Sequence, residues 1–183
     1  MAKPGDLHGS FLIAAATGLN MPRKPDTTID QFVTQLQGGG RLLALDLGTK
    51  TIGMALCDGD WFVSSPVTTI KRTKFTADAE ELMAWVKKEE IAGLIMGLPL
   101  NMDGSEGPRA QATRAFMRNL QRFSPPIHIF HDERLTSNEA KQAMEEAGIA
   151  PAKWAHNIDR YAANLILQSA LVPLGEARTR LLT

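Results

Sequence analysis

The sequence is short of most of what would announce a specialised class of protein. Its 183 residues hold a single cysteine, Cys57, which excludes an internal disulfide framework and zinc sites built on clustered cysteines. Charge of one sign is missing too: 20 Lys plus Arg face 20 Asp plus Glu. With no bulk positive field, any nucleic acid has to be held by a local basic patch. No apolar run approaches the ~20 residues of a membrane span, so no membrane partner is expected. Internal repeats and low-complexity tracts are absent as well. What is present, 44% hydrophobic and 22% charged residues, is the composition of a globular chain of one domain. The lone thiol fits a reducing compartment, and the cytoplasm is the expected location.

Residues 1–40 read as an N-terminal extension, flexible and without assigned function. The apolar run Phe11-Leu-Ile-Ala-Ala-Ala ends at Thr17-Gly18, early for a secretory leader, and a Pro-rich charged stretch and three glycines follow. From residue 41 the pattern sharpens. Residues 42–47 and 52–57 are apolar runs of strand length bounded by turn signals, and a third strand is expected over 61–65, edged by Pro66 and resuming to 70. Helical spacing follows over 78–89, then a strand over 91–96, a helix over 110–123 and a strand over 127–130. The capping-box spelling Thr136-Ser-Asn-Glu139 and the later Gly148 bracket another helix. A last helix over 159–171 is expected to stop before Pro173, leaving 175–183 as a tail. This order predicts an α/β fold: a mixed five-stranded sheet, three strands antiparallel and then two parallel, with helices on its faces. The working domain is expected to span 41–174.

Acids stand at three places where they are costly or informative. Asp46 lies inside the apolar strand Leu45-Asp46-Leu47-Gly48, where an ionised carboxylate needs compensation. A metal ion is one compensator; an aspartate capping its own turn is the plainer reading. Asp132 and Glu133, in His131-Asp132-Glu133-Arg134, follow the fifth strand, and strand ends in open α/β sheets face the ligand crevice. Asp159 shares a helix face with Ala162, Ala163 and Ile166, the apolar face turned to the sheet. Together Asp46, Asp132, Glu133 and Asp159 could hold one or two Mg²⁺ ions, with Mn²⁺ as the substitute, since hard cations prefer oxygen ligands. Paired ions suit in-line hydrolysis of a phosphodiester, with Asp46, Glu133 and Asp159 as the catalytic set. On the substrate side Arg114, Arg118 and Arg122 recur every fourth residue as a basic stripe; a solvated helix face is the alternative. Lys50 and Arg134 are basic positions beside the acids, and Lys71, Arg72 and Lys74 add further loop cations. His131 could move protons beside the acids, whereas His128 and His156 read as structural or surface residues.

The stretches Leu45-Asp46-Leu47-Gly48-Thr49-Lys50, Gly97-Leu98-Pro99-Leu100-Asn101-Met102-Asp103-Gly104, Asp132-Glu133-Arg134-Leu135-Thr136 and Ile158-Asp159 through Ala162-Ala163 to Leu167-Gln168 resemble the YqgF family. These are Holliday-junction-resolvase-like proteins also named as pre-16S rRNA nucleases. The resemblance spans residue 41 to about 174. It implies a ribonuclease-H-like fold, a cytoplasmic bacterial nuclease and a role in processing the 5′ end of precursor 16S rRNA, with RNA preferred over DNA and ribosomal precursor particles as partners. It assigns the first-strand acid to Asp46, the acid after the fifth strand to Glu133 with Asp132 beside it, and the helix acid to Asp159. Two departures stand out: Thr51 replaces an arginine common after the lysine, and no acid ends the fourth strand. Two other readings of the same residues remain, a resolvase of branched DNA and a non-catalytic ribosome-assembly factor. An actin-like ATPase is disfavoured because the chain lacks a second Asp-x-Gly half. A junction resolvase would work as a symmetric dimer, whereas an RNA trimmer need not.

Overall fold

The computed structural model describes residues 25–133 and 137–182. Strand β1 (Arg41–Leu47) is apolar on both faces apart from one acid, as a central strand must be when helices cover it on each side. It pairs antiparallel with β2 (Thr51–Cys57), which pairs antiparallel with β3 (Ser64–Lys71). On its other side β1 pairs parallel with β4 (Ile91–Leu98), and β4 parallel with β5 (Ile127–Asp132). The resulting order β3-β2-β1-β4-β5 makes a mixed sheet of three antiparallel strands and then two parallel, as the sequence predicts.

Side chains alternate across the strands and so build two cores. Leu43, Leu45, Ile52, Met54, Leu94 and Met96 pack under α2 (Phe75–Lys88) and α3 (Pro108–Leu120). Leu42, Ala44, Ala55, Cys57, Ile95 and Ile129 pack on the opposite face under α5 (Trp154–Leu182). The short α4 (Ser137–Glu146) packs on α5. No helix among the described residues is long and apolar enough to cross a membrane.

Three expectations need correction. Residues 1–24 lie outside the described residues, but the extension is not flexible throughout: Ile29–Gln35 is a helix, α1, with a Thr28/Gln31 capping box. Phe32 and Val33 are fully buried in it, and a Cβ on Gly93 would lie 2.5 Å from Phe32 Cζ, so the far edge of the ring abuts that glycine of β4. Phe32→Ala is therefore expected to cost about 3–5 kcal/mol, read as a lower urea midpoint at unchanged slope. The third strand starts later than expected, at Ser64, and runs through Pro66, which the sheet tolerates because β3 is an edge strand and its register shifts there. Trp61 stands in the preceding turn with φ of 65° and donates its indole N–H to the Gly40 carbonyl. Finally, α5 neither starts at 159 nor stops at Pro173, and no tail begins at 175: it covers Trp154–Leu182 with the proline inside. Leu174 and Ala177 continue the buried stripe of Ala170, and that burial outweighs the backbone hydrogen bond that proline removes.

Candidate active site

All five strands bring the same end together. The carboxyl ends of β1, β3, β4 and β5 and the start of β2 lie side by side, where ligand crevices form in open α/β sheets. Asp46 falls on the α5 face of β1, two residues beyond Ala44. Its partner across the ladder is Gly53, which has no side chain to hold the covering helix away. A Cβ on Gly53 would lie 2.0 Å from the Asp159 carbonyl oxygen, so α5 rests its backbone directly on β2 at this point. Thr51, on the same face, donates its hydroxyl to Asp159 Oδ2 at 2.7 Å.

Glu133 reaches the same place from β5. Its N–H donates to the Leu98 carbonyl at 3.0 Å, extending the β4–β5 ladder one step beyond the strand. Gly97 leaves the space its carboxylate occupies: a Cβ there would lie 2.5 Å from Glu133 Oε2 and 2.7 Å from Ile166 Cδ1.

The electrostatics tie the acids together. Burial, and then the charge of Asp159, push the Asp46 carboxyl up to about 6, against the pull of Arg109. Burial, and then the charge of Asp46, push Glu133 up to about 8, again opposed by Arg109. Asp46 is thus the middle member, repelled from both sides, and Arg109 is the opposing charge that acts on both raised acids.

The structure sorts the sequence-predicted residues. Asp46, Glu133 and Asp159 reach the same end of the sheet, Asp159 held by Thr51 and Glu133 seated over Gly97. The structure does not add Asp132, which sits exposed two residues beyond Phe130, on the α3 side of the sheet and opposite to Asp46. Nor does Arg114 belong to an open basic stripe: only 10% of its side chain is exposed, it is held by Asp26 and Glu106, and its guanidinium lies over the Phe130 ring. Arg118 and Arg122 are exposed, with Arg122 Nε donating to the Asn119 carbonyl. Lys50 is exposed on the β1–β2 turn, whereas Arg134 lies outside the described residues. His131 turns to α5, its Nε2 2.9 Å from Ser169 Oγ, and burial lowers its pKa against the pull of Asp132.

Sequence reasoning passed over Arg109 and the role of Thr51. Arg109 follows Pro108 in the first turn of α3, and Pro at the start of a helix after the fourth-strand loop was the available signal. Thr51→Val removes the hydroxyl but keeps the branched shape, and should lower the activity of the site roughly tenfold by freeing the Asp159 carboxylate to rotate. Thr51→Ser should restore it; equal rates for the valine and serine variants would exclude that role.

Among the described residues no three His, Cys, Asp or Glu side chains are grouped closely enough to hold a metal ion as they stand. In kind, however, the donor set fits a hard divalent cation. It consists of carboxylate oxygens that are short of positive charge and repel one another around Asp46.

Acids gathered at the carboxyl end of a mixed sheet suit a hydrolase, and the family and relatives that match this chain make its class a nuclease, which acts on nucleic acid and generally uses divalent metals. Residues 40–172 match the model of the RuvX family, described as Holliday junction resolvase. The chain belongs to that family. A protein of Paracoccus denitrificans named "Putative pre-16S rRNA nuclease" is 51% identical over 143 residues, covering 78% of this chain and 90% of the relative. One of the same name from Agrobacterium fabrum is 47% identical over 144 residues, covering 79% and 91%. A fowlpox virus resolvase solved with Holliday junction DNA aligns over 73% of this chain and 98% of its own, at 12% identity and a TM-score of 0.48.

Proposed function

We propose that this protein is a Mg²⁺-dependent endonuclease of the cytoplasm that trims the 5′ end of precursor 16S rRNA, with Mn²⁺ able to substitute. The observation that carries the reading is that Asp46, Asp159 and Glu133 reach one end of the sheet, where Gly53 lets α5 rest on β2 and Gly97 leaves room for the Glu133 carboxylate. The names of the relatives supply the RNA. Asp46, Glu133 and Asp159 would hold the cation, which when bound polarises a phosphoryl oxygen and lowers the pKa of a bound water. The protein's own groups do the rest. Thr51 fixes one carboxylate oxygen of Asp159. Gly97 and the Leu98 carbonyl aim Glu133 inward. Arg109 offsets the charge of Asp46 and Glu133. Lys50, on the exposed turn beside Asp46, meets the backbone of the strand being cut. The nuclease unit extends from α1 to the end of α5, because both pack into the core on the Asp46 face.

The test is cleavage of a labelled 16S precursor 5′ segment in Mg²⁺, with a four-way DNA junction run alongside and a chelator control for each. Cuts in the RNA that disappear with chelation, the junction staying whole, are the expected result. Paired symmetric cuts in the junction alone would move the same acids to branched DNA. No cleavage of either, in Mg²⁺ or Mn²⁺, would leave an assembly factor that binds without cutting.

A further inference from the structure

The acids at the site end of the sheet are only half of the charge gathered there. Lys50 stands on the β1–β2 turn, and Lys71, the last residue of β3, pairs in register with Thr51. Arg72 follows directly: its N–H donates to the Lys50 carbonyl at 2.8 Å, and its guanidinium crosses the turn to the Gly48 carbonyl. Lys74 is the N-cap residue of α2. Two separate loops are thereby stitched together, and four cations lie along one rim, next to the Thr51–Asp159 hydrogen bond. Lys50, Lys71 and Lys74 are exposed, and among the described residues none of the four makes an ion pair. The acid in the first turn of α2 does not offset them. Asp78 is 4% exposed and turned inward, accepting from the Thr73 N–H and hydroxyl at 2.9 and 3.1 Å, which also pins the loop.

We propose that Lys50, Lys71, Arg72 and Lys74 form a rigid phosphate-binding rim that holds the RNA strand on the β3 side of the cut. The inference rests on the nuclease reading and adds the path of the substrate to it. Balanced overall charge leaves a local patch as the means of holding a polyanion, and these cations have an anchored backbone, exposed ammonium groups and the right end of the sheet. The arginine stripe on α3 meets fewer of these conditions. Arg114 is committed to two acids, and Arg118 lies nine residues beyond Arg109, about 13 Å further along a helix that leads away from the site end.

Binding is measured apart from cutting, by fluorescence anisotropy of a labelled 16S precursor 5′ segment in Mg²⁺-free buffer, across a potassium chloride series. The Lys71→Gln/Lys74→Gln double variant should bind on the order of tenfold more weakly, equally for unrelated RNA sequences. Its log–log salt slope should be shallower by about two. Lys71→Arg/Lys74→Arg should restore both, and Arg118→Gln/Arg122→Gln should change neither. The thermal midpoint should be the same throughout, since these side chains are exposed. A glutamine double variant that binds like wild type overturns the rim, and so does a loss confined to the α3 variant. If wild type cuts the RNA while the rim variants bind normally, this inference alone fails; if wild type neither binds nor cuts RNA, the nuclease reading fails with it.

Discussion

Asp46→Asn is expected to reduce phosphodiester cleavage on the order of a thousandfold, while making the folded protein more stable at neutral pH. The two effects share a cause. Burial and the charge of Asp159 hold the Asp46 carboxyl at about 6 against an ordinary 3.8, so the folded chain binds this proton more tightly than the unfolded chain does. Below pH 3.8 both states carry the proton and the site costs nothing. Between pH 3.8 and about 6 the unfolded chain releases it first, and stability falls as pH rises. Above that window the penalty is complete, at most about 2–3 kcal/mol. Asparagine cannot ionise, so the variant should melt above wild type at pH 7 in the presence of a chelator. The gap should close as pH approaches 4. Glu133→Gln should behave alike over a higher window, between 4.5 and about 8. Because the two acids repel one another, the double variant should gain less than the sum of the singles. Thermal melts from pH 4 to 8 read the stability, and single-turnover cutting reads the rate. Melting curves that coincide across that range would mean that Asp46 is not held against its charge.

A second large effect is expected at Gly53, and its contrast with Gly97 separates scaffold from site. The new methyl of Gly53→Ala would meet the backbone of α5, 2.0 Å from the Asp159 carbonyl oxygen and 2.3 Å from its carbon. Backbone cannot step aside, so the helix must lift off β2 and carry Asp159 with it. A loss of roughly 3 kcal/mol or more is expected, with cleavage lost at the same time. At Gly97 the methyl would instead meet the ends of two side chains, Glu133 and Ile166, which can rotate away. Gly97→Ala should cost about 1 kcal/mol and still lower cleavage at least tenfold by displacing the Glu133 carboxylate. Urea unfolding beside cleavage rates distinguishes the two. Equal losses of stability would show that Glu133 is packed as tightly as backbone.

What could be read from the sequence was whatever local pattern determines. The apolar run around Asp46 announces a central strand, and the acid inside it marks a charge that needs compensation. The helical phase of Asp159 with Ala163 and Ile166 correctly turns that carboxylate to the sheet. Pattern failed where the deciding contact is remote. Seven residues of α1 followed by three glycines look like a linker, because their burial depends on Gly93, 61 positions beyond Phe32. Pro173 looks like a stop, because the gain that overrides it comes from core packing and not from the helix itself. Asp132 and Glu133 look equivalent while β5 is taken to end at 130; two more residues of strand put them on opposite faces. Arg109 has no local sign beyond the helix-opening Pro108 before it, since its partners come from β1 and from the end of β5.

The proline in α5 also divides the molecule mechanically. The helix is a beam of 29 residues, about 43 Å long, notched at Pro173 where one backbone hydrogen bond is missing. Asp159 sits on the span before the notch, while Leu174, Ala177 and the Arg180–Asp30 ion pair to α1 sit on the span after it. A pull on the amino-terminal helix therefore bends the beam at its weak point before it tilts the span that carries the acid, and fraying at the far end is absorbed there too.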